Sequence, residues 1–298
     1  MSLTRTLYST QNFTVNGTAL PVKTVSFEVS VPAEDILALG KSTYGKQVKE
    51  VQKFTVNVKS YITSATPTAL CGLNINTLVE NSKVGTRSTL NLCNSPAIGN
   101  NNFKVEGILT KFAIDAPVGD FPTMDLTFEG LGYPNHTPTA TAATPSFTVL
   151  DAGSLSLTEV AAGNGPAAEN QSNATIKSAK FSLDIPTEIL TTIGSSPLAA
   201  NSAIGNVAAT AVPNKYLHLA KLPLKYSMTV EGENVATRAS SRAGALGSVP
   251  ALATETLRIG AFPVTVSSGI MTSRNLNQGA GDLGAMGSFT LESSFGSP

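Results

Sequence analysis

Two histidines and two cysteines are the residues of this chain best suited to metal binding or nucleophilic catalysis. His136 lies in a Pro/Thr/Ala-rich stretch and His218 lies in or beside a predicted strand; neither has a cysteine or carboxylate at metal-site spacing. Cys71 and Cys93 stand 22 residues apart, without a CxxC pattern or a flanking histidine. That spacing permits a disulfide, but a single pair of thiols favours free cysteines in a reducing compartment. We therefore expect no metal site and no cofactor.

Carboxylate pairs could serve as a general acid and a general base. Asp120 and Glu129 recur later in the chain as Asp282 and Glu292. Each aspartate follows a glycine, which is ordinary chemistry for a hairpin corner. The stretch "SRAGALGS" has spaced glycines but no strand leads directly into it, and no nucleotide-binding, nucleophile-elbow or zinc-protease motif is present. The sequence therefore predicts that the protein is not an enzyme.

The chain contains one pattern twice. "VKTVSFEVSVPAEDILALG", residues 22–40, and "IKSAKFSLDIPTEILTTIG", residues 176–194, align without a gap at a shift of 154 residues. Each reads as an alternating strand, a proline, one or more carboxylates and a closing glycine. Proline stops sheet pairing, and the acidic start with a terminal glycine is typical of a short helix. We expect a short helix or helical turn after each strand.

Two further blocks recur in the same order. Residues 53–62 resemble 221–230, with Phe54, Val56 and Val58 matched to Leu222, Leu224 and Tyr226; residues 119–129 resemble 281–292 with one inserted residue. Three blocks in one order predict a tandem duplication, with chance similarity between alternating strands as the alternative. The candidate equivalent structural positions are Phe27, Phe181, Pro32, Pro186, Gly40, Gly194, Gly119, Asp120, Gly281 and Asp282.

Period-two alternation dominates the sequence and predicts an all-β protein with short helices. We expect two tandem domains, at 1–132 and 171–298, joined by a Pro/Thr/Ala-rich linker at 133–170 that includes a possible arm strand. Long polar loops are expected within the copies, at 64–102, 196–214 and 235–255.

The composition limits the possible partners. Charged residues make up 13% of the 298 residues, and 20 basic residues balance 20 acidic ones, so the chain has no basic excess for holding nucleic acid. Low net charge leaves self-association unopposed. No apolar segment suits a secretory signal or a membrane helix, so assembly in a cytoplasm without membrane insertion is expected.

The matched blocks resemble the tail tube (major tail) proteins of bacteriophages. "LTKFAIDAPVGDFPTMDLTFEGLG" is similar to the closing hairpin of that family, and residues 22–58 are similar to its opening strand and the segment after it. The resemblance covers most of the first copy. It is weaker in the second, where "SRNLNQGAG" departs from the alternation of "KFAIDAPVG".

The resemblance implies two tail-tube-like β-sandwich or barrel domains. It implies self-association into rings that stack into a tube in the virion tail, through which DNA passes without being gripped. Sheath, tape-measure, baseplate and terminator proteins would be the further partners. A two-domain chain would build such a ring as a pseudo-hexameric trimer. The 64–102 loop, the N-terminal arm and the linker are candidates for contacts between rings.

Two alternatives stay open. The protein could be another ring component of a phage tail or contractile injection system, such as a terminator or baseplate ring. It could instead be a carbohydrate- or receptor-binding β-sandwich module, which would need clustered exposed aromatics or carboxylates. The sequence does not distinguish contractile from non-contractile tails, and it does not indicate which strand faces line a lumen.

Overall fold

A computed structural model describes the following residues of the chain: 11–30, 33–36, 45–48, 53–63, 88–94, 103–117, 119–131, 155–160, 176–193, 214–220, 224–233, 253–259, 262–277 and 286–295. These residues form seventeen strands. None of them belongs to a helix that could cross a membrane.

Nine of the described strands lie in the first half of the chain and eight lie in the second. Those of the first half are β1 (Gln11–Val15), β2 (Thr18–Leu20), β3 (Val22–Ser30), β4 (Ala33–Ile36), β5 (Gly45–Val48), β6 (Lys53–Tyr61), β7 (Ser88–Asn94), β8 (Phe103–Pro117) and β9 (Thr123–Leu131). Those of the second half are β10 (Leu155–Val160), β11 (Ile176–Asp184), β12 (Thr187–Ile193), β13 (Asn214–Ala220), β14 (Leu224–Glu233), β15 (Ala253–Ile259), β16 (Phe262–Asn277) and β17 (Met286–Phe295).

Thirteen of the described strands form one antiparallel sheet that runs through both halves. In the second half the order is β10-β15-β16-β17-β14-β11, and β11 then pairs with β8 of the first half. From β8 the sheet continues to β7, β1 and β2 on one path and to β9, β6 and β3 on another. The remaining four strands form two separate hairpins, β4–β5 and β12–β13. The all-β class is therefore confirmed for the described residues.

Alternating side chains explain why these segments are strands. In β6 the side chains of Phe54, Val56 and Val58 are buried, whereas the residues between them face outward. β9 and β11 alternate in the same way. The inward side chains of both halves form one hydrophobic cluster, in which the rings of Phe112 and Phe181 lie 5.8 Å apart. The core therefore crosses from one half to the other.

The two halves pair their strands in the same order. The strands that occupy the same place are β1 and β10, β7 and β15, β8 and β16, β9 and β17, β6 and β14, and β3 and β11. The separate hairpins β4–β5 and β12–β13 also follow equivalent strands. This common order is what a tandem duplication would produce; the duplication and the domain boundaries at 1–132, 133–170 and 171–298 stay predictions.

The expectation of a short helix after each opening strand is wrong for the described residues. Ala33–Ile36 is a strand paired with Gly45–Val48, and Thr187–Ile193 is a strand paired with Asn214–Ala220. Acidic residues followed by glycine are typical of a helix, but they also suit a hairpin arm whose backbone groups find cross-strand partners. In "TEILTTI" the β-branched residues further favour a strand.

The predicted alignment of residues 53–62 with residues 221–230 is also wrong. Phe27 pairs with Val56 in β3·β6, and Phe181 pairs with Met228 in β11·β14. Val56 is therefore equivalent to Met228 and not to Leu224, so the true match lies four residues further along. A slide by an even number of residues keeps every side chain on its face, so alternation alone could not fix the frame.

The predicted loops are partly strands. β7 lies inside 64–102, Asn214 begins β13, and β15 begins within 235–255. β10 lies inside the predicted linker, where an arm strand was expected. Other positions of interest lie outside the described residues: Pro32, Gly40, Gly194, Gly281, Asp282, Cys71 and His136.

Candidate functional site

The most informative region of the molecule is the junction at which β11 of the second half pairs with β8 of the first. β8 has three strand partners: β7 pairs with its first five residues, β9 with Ile108–Asp115, and β11 with Lys111–Pro117. Because β9 and β11 overlap along β8, they occupy opposite edges of it. The two halves are therefore joined edge to edge by backbone ladder bonds.

Apolar side chains cover the inner face of this junction. Phe181 stands opposite Ile114, and Leu183 stands opposite Phe112. All four side chains are buried, and the ring of Phe181 lies 5.8 Å from Phe112 and 6.3 Å from Tyr226. Burial of this kind contributes about 1.5–3 kcal/mol for each large side chain. The junction is therefore part of the core.

Charged side chains mark the outer face of the same junction. Lys180 stands opposite Asp115, and Asp184 stands opposite Lys111. All four residues are exposed. Directly opposed residues of unlike charge favour an antiparallel pairing by roughly 0.2–1 kcal/mol, and a slipped register would separate them. The two pairs thus favour this register over its neighbours.

Two β-bulges recur at equivalent positions of the halves. The β3·β6 register shifts at Lys23, and the β11·β14 register shifts at Lys177. Likewise, β8·β9 shifts at Thr110 and β16·β17 shifts at Thr272. Each bulge falls on the same residue type in both halves.

The bulge at Thr110 takes part in the junction. Its carbonyl oxygen accepts a hydrogen bond from the backbone N–H of Ile185, at 2.8 Å, just beyond the end of β11. Its hydroxyl donates to the carbonyl oxygen of Thr127, at 3.2 Å. A bulge leaves one residue out of the regular ladder, and here its carbonyl bonds to the neighbouring half.

β3 occupies the place of β11 but has different neighbours. Within the described residues, β3 pairs with β6, whereas β11 pairs with both β14 and β8. The burial of the inward side chains differs accordingly. Ala179, Phe181 and Leu183 of β11 are buried, whereas Val25, Phe27 and Val29 are half-buried. The apolar face of β3 is thus less covered than that of its counterpart.

β16 occupies the place of β8; its N-terminal part pairs with β15 and its C-terminal part pairs with β17. Residues 270–277 pair with β17 just as 108–115 pair with β9. Among the described residues, no strand takes the place opposite Ser273–Asn277 that β11 takes opposite Lys111–Asp115. Within the described residues, β3 and the C-terminal part of β16 therefore each lack the partner that β11 and β8 find in one another at the internal junction.

The corner between β8 and β9 carries an exposed aromatic group. Gly119 has φ +93°, a conformation in which glycine is unstrained, and the Asp120 carboxylate accepts a hydrogen bond from the N–H of Phe121 at 2.7 Å. The Phe121 ring is 52% exposed and packs edge-on against Tyr61, with the centroids 6.1 Å apart. The ammonium of Lys23 lies 4.9 Å from the centroid of the same Tyr61 ring. Asp120 here stabilises a turn.

Other predicted positions have structural surroundings. The carboxylate of Glu129 accepts a hydrogen bond from the Thr187 hydroxyl at 3.3 Å, which connects β9 to the start of β12. Pro186 is exposed between β11 and β12.

His218 lies in β13 opposite Ile189, and Cys93 lies in β7 opposite Asn12. Within the described residues, no three histidine, cysteine or acidic residues are grouped as metal ligands would be.

Sequence reasoning missed the junction itself. It identified Phe181 as a repeated position but not its pairing with Ile114 across the two halves. One signal was available, because the order of charges in "KFAIDAP" complements that in "AKFSLD" when the two segments run antiparallel.

Comparisons with known proteins give little further information. No family model matches the chain, and no curated protein matches it. Among solved structures there is a likeness to the Dit protein (gp 19.1) of phage SPP1, described as a paradigm of the hub adsorption apparatus in phages that infect Gram-positive bacteria. The two share 10% identity over 95% of this chain and 98% of that chain, with a TM-score of 0.22. At that TM-score the likeness does not bear on fold or function.

Proposed function

We propose that this protein is a structural component of a phage tail tube, without a catalytic reaction of its own. Chains would assemble into trimeric, pseudo-hexameric rings in the virion tail. The rings would stack into a conduit for DNA. The observation that supports this most is the edge-to-edge junction of two similarly ordered halves in one sheet.

The geometry of the sheet favours a repeating assembly. Unpaired strand edges are templates for another chain, and natural proteins usually block them. Here the two halves already use such edges to bind each other. A head-to-tail contact that repeats with a closing rotation forms a ring, so three chains would supply six units. Linking two units in one chain raises their effective concentration for this contact.

The composition supports the same role. A conduit must let DNA pass, and a wall with no basic excess does not hold phosphate groups strongly. The sequence resemblance to tail tube proteins rests on "LTKFAIDAPVGDFPTMDLTFEGLG". That segment forms most of β8, the corner at Gly119 and β9, at the centre of the sheet.

Negative-stain electron microscopy of the full-length protein, with mass photometry of the same sample, tests the proposal. We expect six-lobed rings with the mass of three chains, and tubes as the concentration rises. Six chains in each ring would contradict the trimeric ring but would still support the proposed role in a tube. Single rings that never stack would favour a terminator or baseplate ring. A monomer at high concentration in every salt condition would contradict the proposal and favour a binding module.

A further inference from the structure

The residue pairs of the internal junction can be mapped onto β3 and onto the C-terminal part of β16, which occupy the places of β11 and β8. β11 and β3 align at the same bulge, so Lys180, Ser182 and Asp184 correspond to Ser26, Glu28 and Ser30. β8 and β16 also align at their bulge, so Lys111, Ala113 and Asp115 correspond to Ser273, Asn275 and Asn277.

We propose that β3 of one chain pairs antiparallel with the end of β16 in a second copy of this chain, in the register of the internal junction. This rests on the proposed ring assembly and names its contact. The directly opposed residues would include Ser26 with Asn277, Glu28 with Asn275, and Ser30 with Ser273. The carbonyl of Thr272 would accept a hydrogen bond from the neighbour, as that of Thr110 does from Ile185.

Burial on β3 supports a second copy as the occupant. Val25, Phe27 and Val29 are half-buried, whereas the side chains at the same positions of β11 are fully covered where β8 is present. The internal junction shows which kind of strand completes this face. In the part of the chain that the structure describes, β16 has the place of β8 and no strand opposite Ser273–Asn277, so the β16 of a neighbouring chain can supply this partner.

The residues at the proposed contact differ from those at the internal junction in one informative way. The charged pairs Lys180–Asp115 and Asp184–Lys111 are replaced by Ser26–Asn277 and Ser30–Ser273, which carry no charge. Arg274 takes the register position of the buried Phe112. The contact between chains would therefore be more polar than the junction within a chain, as suits a contact that forms after folding.

Disulfide crosslinking tests the register. In a background with Cys71→Ser and Cys93→Ser, the pair Glu28→Cys and Asn275→Cys places two thiols directly opposite each other on neighbouring chains. Opposed residues in antiparallel strands lie within disulfide reach. We expect mild oxidation to give covalent dimers and closed covalent trimers on non-reducing gels. The equivalent internal pair, Ser182→Cys with Ala113→Cys, should close within one chain and calibrates the reaction.

The matched control is Glu28→Cys with Arg274→Cys. In the proposed register Arg274 stands opposite Val29 and not opposite Glu28, so this pair should crosslink at least about tenfold less than Glu28→Cys with Asn275→Cys. A shift by one residue would reverse the two results. The single variants Glu28→Cys and Asn275→Cys should give no closed trimers, because each chain then offers one thiol.

Each outcome separates this inference from the proposed function. If microscopy shows rings but the Glu28→Cys with Asn275→Cys pair does not crosslink selectively, the proposed register is wrong and the proposed tube function still stands. Selective closed trimers in a protein that never forms tubes would support the contact and contradict the tube. A protein that neither assembles nor crosslinks would contradict both.

Discussion

The strands β3 and β11 occupy the same place in their halves, with the same bulge at a lysine, but their surroundings differ. β11 lies between β14 and β8, and its apolar side chains are buried. β3 pairs with β6 within the described residues, and its apolar side chains are half-buried. Within the described residues, the same strand type therefore has two strand partners in one half and one in the other, and the burial of its apolar side chains follows that difference.

Replacing the aromatic residue at this shared position should produce the largest difference. Phe181→Ala removes a buried ring that packs against Phe112 and Tyr226, so we expect a loss of about 3–5 kcal/mol in the free energy of unfolding. Phe27→Ala removes a half-buried ring and should cost roughly half as much. Urea unfolding of the unassembled chain measures both. Equal losses would contradict the distinction between interior and edge.

A glycine in β9 gives the next largest expected effect. Gly130 stands opposite Phe54, and an added Cβ would overlap the Phe54 ring and lie 2.8 Å from the carbonyl oxygen of Glu106. We expect Gly130→Ser to cost about 1–3 kcal/mol by overpacking. The second half has Ser293 opposite Tyr226 at this position, so Ser293→Gly should cost only about 0.5–1 kcal/mol. Thermal unfolding checks both, and a neutral Gly130→Ser would show that the Phe54 ring moves freely.

Reversing one charge at the internal junction should have a smaller effect. Lys180→Glu places a carboxylate directly opposite that of Asp115. We expect the free energy of unfolding to fall by roughly 0.2–1 kcal/mol, and salt should reduce this loss. Adding Asp115→Lys should restore the stability. A double-mutant cycle by urea unfolding measures the coupling, and a coupling of zero would contradict a role for this pair in fixing the register.

The smallest effect is expected when that charge pair is copied to the outer edges. Ser26→Lys with Asn277→Asp should lower the concentration at which rings form by roughly 1.4- to 5-fold per contact, which corresponds to the same 0.2–1 kcal/mol. Sedimentation velocity at low and high salt measures the shift. Ser26→Asp with Asn277→Asp should have the opposite effect. If both double variants behave alike, β3 does not face β16.

Much of the sheet could be predicted from the sequence. Most of β3, β6 and β9 alternates between apolar and polar residues, and the repeat around Lys23 and Lys177 pointed to β3 and β11 as matching strands. β7 was missed because "STLNLCN" has few apolar residues within a polar stretch. The hairpins were missed because acidic residues before a glycine favour a helix equally well. The junction between β8 and β11 was missed because the two strands are far apart in the sequence and many strands share their alternation; the complementary charges of "KFAIDAP" and "AKFSLD" were the available signal.

The paired bulges at Lys23 and Lys177, and at Thr110 and Thr272, have a geometric consequence. A bulge bends its strand and increases the local twist. Because the same bulges recur at the same places, each half should rotate the sheet by a similar angle. The diameter of any closed assembly would then be set by that angle, and inserting or deleting a bulge residue would change the curvature of the wall before it changed the fold.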